Sequence, residues 1–350
     1  MKKALYILAG FLIGIALGII LLEAFLRINP KFGYIYESFR QSKDDRMMES
    51  PNDSKLQPSS LFGYENIPNS SAFGSSINSL GLVGKSYSLK KDKNTFRILL
   101  LGDSIAHQDW SRQYLENELN NNPDLSSRYK FEIWNAGVPS YDVRRYALYL
   151  QHKGLRYKPD TVLIFMFMND FNLNINLYYK NKNNIVCSYD SPLREVSKIY
   201  NVNLFLMKHL YVYRFAMLRV ESYLSGKQKA QGIDPTEQNG TYYTEKIVEI
   251  CKNNNLPLLV AIFPYLKPLS EYDNGQKNGY KIINSVVKSL ASNYINLYDY
   301  IPESDLYNLR HNKQDEIHPG PEGHALIGGI IYNYLLDNFS FAEKQWRPLQ

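Results

Sequence analysis

The groups able to do chemistry lie in four short segments. The first, residues 96–104, reads FRILLLGDS, an apolar run that stops abruptly at Gly102-Asp103-Ser104. A short Ile/Leu-rich run closed by glycine fits a buried parallel strand. The turn after it puts Ser104 at the carboxyl end, where open α/β sheets keep their ligand sites. A serine hydroxyl becomes a nucleophile when a base takes its proton and a carboxylate orients that base. Residues 315–320, DEIHPG, supply Asp315 and His318 three positions apart. A short bend there aims the carboxylate at one imidazole nitrogen while the other faces Ser104. Acyl transfer also needs donors for the developing oxyanion. Gly137, in NAGVPS, offers an N–H with no side chain in the way, and Asn169 offers a side-chain amide where another apolar run ends.

Each of these residues also has a plainer use. Asp-Ser pairs cap helices, and Pro319, Gly320 and Pro321 make a turn whether or not His318 is a base. His324 and His107 are rival bases, and Asp109 and Asp170 are rival carboxylates. His324 has no Asp three residues before it, and His107 could instead line the pocket.

The surrounding pattern must bring these segments together. Apolar runs at 96–101, 161–168 and 256–264 predict strands, as do the alternating KFEIWN at 130–135 and the segment 294–299, and TVLIFMFM at 161–168 is apolar on both faces. Helices are expected within 110–120, 141–152, 241–253 and 280–291, and from Pro321 through Leu335. Helices alternating with buried strands predict an α/β fold, a three-layer α/β/α sandwich with a mainly parallel central sheet. Glycine-rich stretches at 226–240 and 275–279 read as an exposed linker and a loop. The expected division is an anchor at 1–27, a spacer and irregular collar at 28–94, a catalytic domain at 95–340 and a tail at 341–350. The domain carries an insertion at about 171–240. Within it, residues 198–220 are aromatic and basic, suiting a core helix, a lid or a membrane-facing surface.

The combination resembles the SGNH/GDSL hydrolase superfamily. Gly102-Asp103-Ser104 matches its first block, Gly137 its second-block glycine, Asn169-Asp170 half of its Gly-x-Asn-Asp block, and Asp315 with His318 its Asp-x-x-His. Phe167 stands where the third block has glycine. The resemblance implies Ser104, His318 and Asp315 as catalytic residues. It also implies an oxyanion hole of the Ser104 N–H, the Gly137 N–H and the Asn169 side chain, with no metal or cofactor. INSLGLVGKSYSL upstream of the first strand is similar to a membrane-anchored bacterial envelope branch of sugar O-acetyl esterases and acetyltransferases.

Residues 4–22 carry no charge and follow Lys2 and Lys3. At 1.5 Å per residue they span roughly 28 Å, close to a bilayer's hydrocarbon thickness. An uncleaved signal anchor is expected, with a cytoplasmic N-terminus and the remainder periplasmic or extracellular. The formal charge is +6, with basic and acidic residues interspersed and no basic stripe, which excludes a nucleic-acid partner. Cys187 and Cys251 have no metal-ligand spacing; free thiols and, in an exported chain, a disulfide both fit. The expected substrate is an acyl ester on a cell-envelope glycan or another surface ester. Hydrolysis is the leading reading. O-acetyl transfer to a polysaccharide, fed by a multi-pass membrane acyl donor protein, stays open. So do a non-catalytic glycan-binding or assembly role and a lipase-like action at the membrane surface.

Overall fold

In the computed structural model, residues 2–28, 56–59, 61–72, 74–172 and 235–347 are described, with short segments between 178 and 223. They form two compact units, Met1–Tyr64 with Ile175–Ile233 and Glu65–Asn174 with Asp234–Gln350. Most of the spacer expected at 28–60 and most of 171–234 lie outside the described residues.

The second unit is an α/β fold with a central parallel sheet flanked by helices. Its strands are β1 (Thr95–Leu101), β2 (Lys130–Asn135), β3 (Thr161–Phe167), β4 (Leu258–Phe263) and β5 (Tyr294–Asn296). All neighbours run parallel, in the order β5-β4-β3-β1-β2. Its main helices are α1 (Trp110–Asn121), α2 (Val143–His152), α3 (Pro235–Asn253), α4 (Asn274–Leu290) and α5 (Pro321–Asn338). Helices α1 and α5 pack together, as do α2 with α3 and α3 with α4. Every residue of β1 and β3 is buried, as expected of strands covered on both faces.

One buried residue in β1 is charged. Arg97 is fully enclosed. Its guanidinium donates to Glu132 at 3.0 and 3.2 Å and to the Ser88 carbonyl at 2.9 Å. It also lies over the Trp134 ring, 4.1 Å from the centroid. A buried guanidinium is tolerated only when its donors are met in this way.

Two stretches read as loop are helical in their described residues. Helix α4 begins at Asn274 and takes in Gly275 and Gly279, because Asp273 starts it with a capping box. Asp273 Oδ1 accepts the Gln276 N–H at 2.8 Å, and Gln276 Oε1 accepts the Asp273 N–H at 3.0 Å. Helix α3 begins at Pro235 rather than near 241 and takes in Gly240. There the glycine serves close packing: a Cβ on Gly240 would sit 2.2 Å from the Phe171 ring. Cys251, on α3, is a buried free thiol, and burial pushes its pKa up to about 12.

In the first unit, the N-terminal helix spans Lys2–Ile28. Tyr6–Ile28 is a 23-residue stretch of mean hydropathy 2.5, long and apolar enough for a signal or transmembrane segment. Arg27 donates to Glu23 one turn before it at 2.8 Å. The same carboxylate accepts the N–H groups of Tyr211 and Val212 at 3.1 and 2.8 Å. Residues 198–220 are described only in part, with helical backbone at 211–213 and 215–217. Val202, Leu210 and Val220 are exposed there.

The Gly240 contact yields a test against helix propensity. Alanine in a helix interior is ordinarily favoured over glycine by about 1 kcal/mol. Gly240→Ala is expected instead to destabilise the protein by about 1–3 kcal/mol, because Phe171 is buried and the site is overpacked. Urea unfolding followed by circular dichroism reads the difference.

Candidate active site

The strand order 2-1-3-4-5 leaves a switch point between β1 and β3, where the chain departs in opposite directions and a crevice opens at the carboxyl ends. Ser104 opens the helical turn after β1, and Asn169 lies in the turn after β3. Between them the backbone is drawn tight. A Cβ on Gly102 would meet the Ala106 Cβ at 2.6 Å and the Phe165 Cβ at 3.2 Å, so no larger residue fits there without displacement.

Ser104 opens a one-turn helix, Ser104–His107, which the sequence pattern does not predict. Asp103 caps it, accepting the Ile105 N–H on Oδ1 at 2.9 Å. Ile105, Ala106 and His107 are buried, which fixes the turn while Ser104 stays half-buried. Ser104 Oγ lies 2.8 Å from His318 Nε2. His318 Nδ1 lies 2.9 and 3.1 Å from the two Asp315 oxygens. Residues 214 positions apart thus form one hydrogen-bonded chain.

The turn carrying His318 is shaped by that carboxylate. Asp315 Oδ1 also accepts the Ile317 and His318 N–H groups, at 3.0 and 2.9 Å. The turn is fixed from outside as well. Leu266, just after β4, donates to the Glu316 carbonyl at 2.7 Å, and His311 donates to the His318 carbonyl at 2.8 Å. Burial raises the Asp315 pKa, but the bonds from the His318 side chain and backbone and from Ile317 outweigh it, holding the carboxyl at about 2. An ionised Asp315 can only accept, so His318 Nδ1 carries the proton and Nε2 is left to accept from Ser104.

The expected oxyanion donors differ in availability. Asn169 sits half-buried in a 3-10 turn, Met168–Phe171. Its Oδ1 is buried without a hydrogen-bond partner among the described residues. The Gly137 N–H is directed elsewhere, donating to Asn135 Oδ1 at 2.9 Å. Gly137 packs against the Ser104–His107 turn, and a Cβ there would come within 2.7 Å of the His107 backbone nitrogen. Phe167, where the family pattern has glycine, is buried, and its N–H donates to Asp170 Oδ2 at 2.9 Å. Its ring meets Tyr265 edge-on at 4.9 Å.

The rival residues have other engagements. His324 is fully buried. Its Nδ1 lies 2.7 Å from Ser111 Oγ and its Nε2 2.6 Å from Gln108 Oε1, a link joining α5 to the start of α1. His107 is buried, and its carbonyl accepts from Ser75 Oγ at 2.8 Å. Asp109 accepts from Arg112 Nε at 2.9 Å and Asn135 Nδ2 at 2.9 Å. Asp170 accepts from the Tyr146 hydroxyl at 2.9 Å. Burial, and then the nearby Asp103 charge, pushes its carboxyl well above the usual range.

Residues 100–326 match the GDSL-like Lipase/Acylhydrolase family. The chain therefore belongs to this family, and so to the SGNH/GDSL hydrolase superfamily, whose general chemistry is ester hydrolysis. Curated proteins give no match. Among solved structures, the chain is similar to a GDSL-like lipase from Bacteroides thetaiotaomicron at 14% identity and a TM-score of 0.39, covering 72% of this chain and 92% of that one. A lipase/acylhydrolase from Enterococcus faecalis matches at 16% identity and a TM-score of 0.40, covering 73% and 99%. A variant of an acetyl xylan esterase from Geobacillus stearothermophilus matches at 14% identity and a TM-score of 0.41, covering 73% and 97%.

The two buried histidines carry a pH prediction. Burial lowers the pKa of His324 to about 3 and of His107 to about 4. Both lie below the unfolded value of about 6.5, so the unfolded chain binds more protons below that pH. Stability is fully present above pH ~6.5 and falls as pH drops toward the folded values, by about 1–2 kcal/mol per histidine between pH 6.5 and 5. Urea unfolding of the protein against His324→Gln should show a shallower acid loss in the variant.

Proposed function

We propose that the chain is a serine-dependent hydrolase of O-acyl esters on a carbohydrate of the cell envelope. The observation that carries this is the Ser104–His318–Asp315 relay, with 2.8 Å between Ser104 Oγ and His318 Nε2. A binding module has no use for a serine hydroxyl aimed at an imidazole whose other nitrogen meets a carboxylate.

In this reading His318 Nε2 takes the Ser104 proton as Oγ attacks the ester carbonyl. Asp315 keeps the imidazole in the accepting tautomer and favours the imidazolium that forms. The imidazolium then gives its proton to the departing alcohol, leaving an acyl group on Ser104. Water, deprotonated by His318, releases the acid. The Ser104 N–H and the Asn169 amide stabilise the tetrahedral oxyanion. Asn169 is the better supported of these, since its amide makes no bond to any described residue. The Gly137 N–H joins only by dividing its bond with Asn135. The chain would be held at the membrane by its N-terminal helix as an uncleaved anchor, N-terminus inside and the catalytic unit outside. Lys2, Lys3 and the 23-residue apolar span support that orientation. The flanking helix groups fit the three-layer α/β/α arrangement.

The test is turnover of a small activated acetyl ester, with intact-mass detection of an acetyl adduct. Ser104→Ala should lose both turnover and adduct, and retained turnover sinks the proposal. Asn169→Ala should lower kcat roughly a hundredfold or more, the usual cost of one oxyanion donor. Asp315→Asn should lower it by about four orders of magnitude through the wrong tautomer. Adding a sugar oligomer separates hydrolysis from transfer: acetylated oligomer would assign the chain to the O-acyltransferases.

A further inference from the structure

A cavity of about 720 Å³ opens in the same unit, lined by residues from four separated segments. They include Lys85, Gln108, Trp110, Gln113 and His311. An acetyl group needs only a fraction of that space, whereas pockets of 300–1,000 Å³ enclose ligands of several rings. Two backbone links tie the cavity to the proposed relay. The Gln108 N–H donates to the Ser104 carbonyl at 3.3 Å, and the His311 N–H to the His318 carbonyl at 2.8 Å. Gln108 is one helical turn from the nucleophile, a rise of about 5.4 Å, and that is of the order of one sugar unit.

The lining selects a chemistry. Trp110 is half-buried and His311 exposed, and their rings lie 6.0 Å apart at a tilt of 30°, a pair of neighbouring aromatic rings in the lining. Gln108 Oε1 meets His324, while its NH2 has no partner among the described residues and is left as a donor at the cavity. The charged groups in the lining are already matched. Arg112 pairs with Asp109, and Lys85 with Glu116. An anionic ligand would find no uncompensated cation among them, and a hydrocarbon chain would face amides and ion pairs. A neutral ring with a flat C–H face and hydroxyls at its rim fits both parts. The wall is also built at some backbone cost. Asp109 holds a left-handed φ of 67° just before Trp110. Gly84, at φ 86°, leaves room where a Cβ would meet the Asp109 and Arg112 side chains at 2.8 Å.

We infer that this cavity is a saccharide subsite that holds a pyranose next to the sugar carrying the ester, with Trp110 and His311 as its aromatic lining and Gln108 as a hydroxyl-directed donor. The inference rests on the esterase reading for its place in the reaction, but binding can be measured without turnover. The full chain, in a zwitterionic detergent without a sugar headgroup, is titrated with xylohexaose, cellohexaose and chitohexaose, following tryptophan fluorescence and calorimetric heat. At least one oligomer should bind with a saturating fluorescence change. His311→Ala, at an exposed position, and Trp110→Ala should each weaken binding tenfold or more. Trp110→Phe should keep affinity within about threefold while losing the fluorescence change, which a merely structural role for Trp110 would not produce. No binding by any of the three oligomers overturns the inference, as does affinity unchanged in both alanine variants. Turnover of the small acetyl ester by the unaltered chain, beside Ser104→Ala, is read separately. Binding without turnover then sinks only the esterase reading, and turnover without binding sinks only the subsite.

Discussion

One carboxylate does two jobs on which the rest of the site depends. Asp315 accepts the backbone N–H groups of Ile317 and His318, which folds the turn, and meets His318 Nδ1, which sets the imidazole's tautomer. Bonds to the ionised form hold its pKa low against the opposing effect of burial. The shape of the loop and the electrostatics of the imidazole therefore cannot be varied independently at this carboxylate. The two backbone bonds hold the carboxylate in place whether or not the ring meets it.

That turn is useful only because the sheet delivers its partners to the same place. The reversal between β1 and β3 opens the crevice, and the turn after each strand carries a group with chemistry, Ser104 after β1 and Asn169 after β3. The exit from β4 contributes a clamp rather than a reactive group, through the Leu266 bond to Glu316. Charges away from the crevice are neutralised locally, as with Arg97 and Glu132 at the other end of the sheet.

Much of this was legible in the residues. The strands at 96–101 and 161–168 declare themselves by continuous apolar runs and the one at 130–135 by alternation, and the spacing of Asp315 and His318 suggests a bend. Glycine was the misleading signal. Gly240, Gly275 and Gly279 read as punctuation, yet all three are helical, one because a ring needs its space and two because a capping box outweighs their low propensity. Gly137 offered an unobstructed N–H on paper, and the Asn135 side chain two residues back accepts it. The cavity was invisible for a different reason. Its wall joins residues at 74–76, 84–85, 108–113 and 311, and no local pattern links them.

The span between Ser104 and His318 has a consequence for timing. A hydrogen bond across 214 residues forms only after the turn at 315–318 has been made and has found the first strand's exit. Non-local closure of this kind comes late in folding. No portion of the chain that stops short of Asp315 and His318 can hold these bonds, however well its own strands pair. In a chain made from its N-terminus, the Ser104 hydroxyl therefore meets its imidazole only once nearly the whole unit has been made.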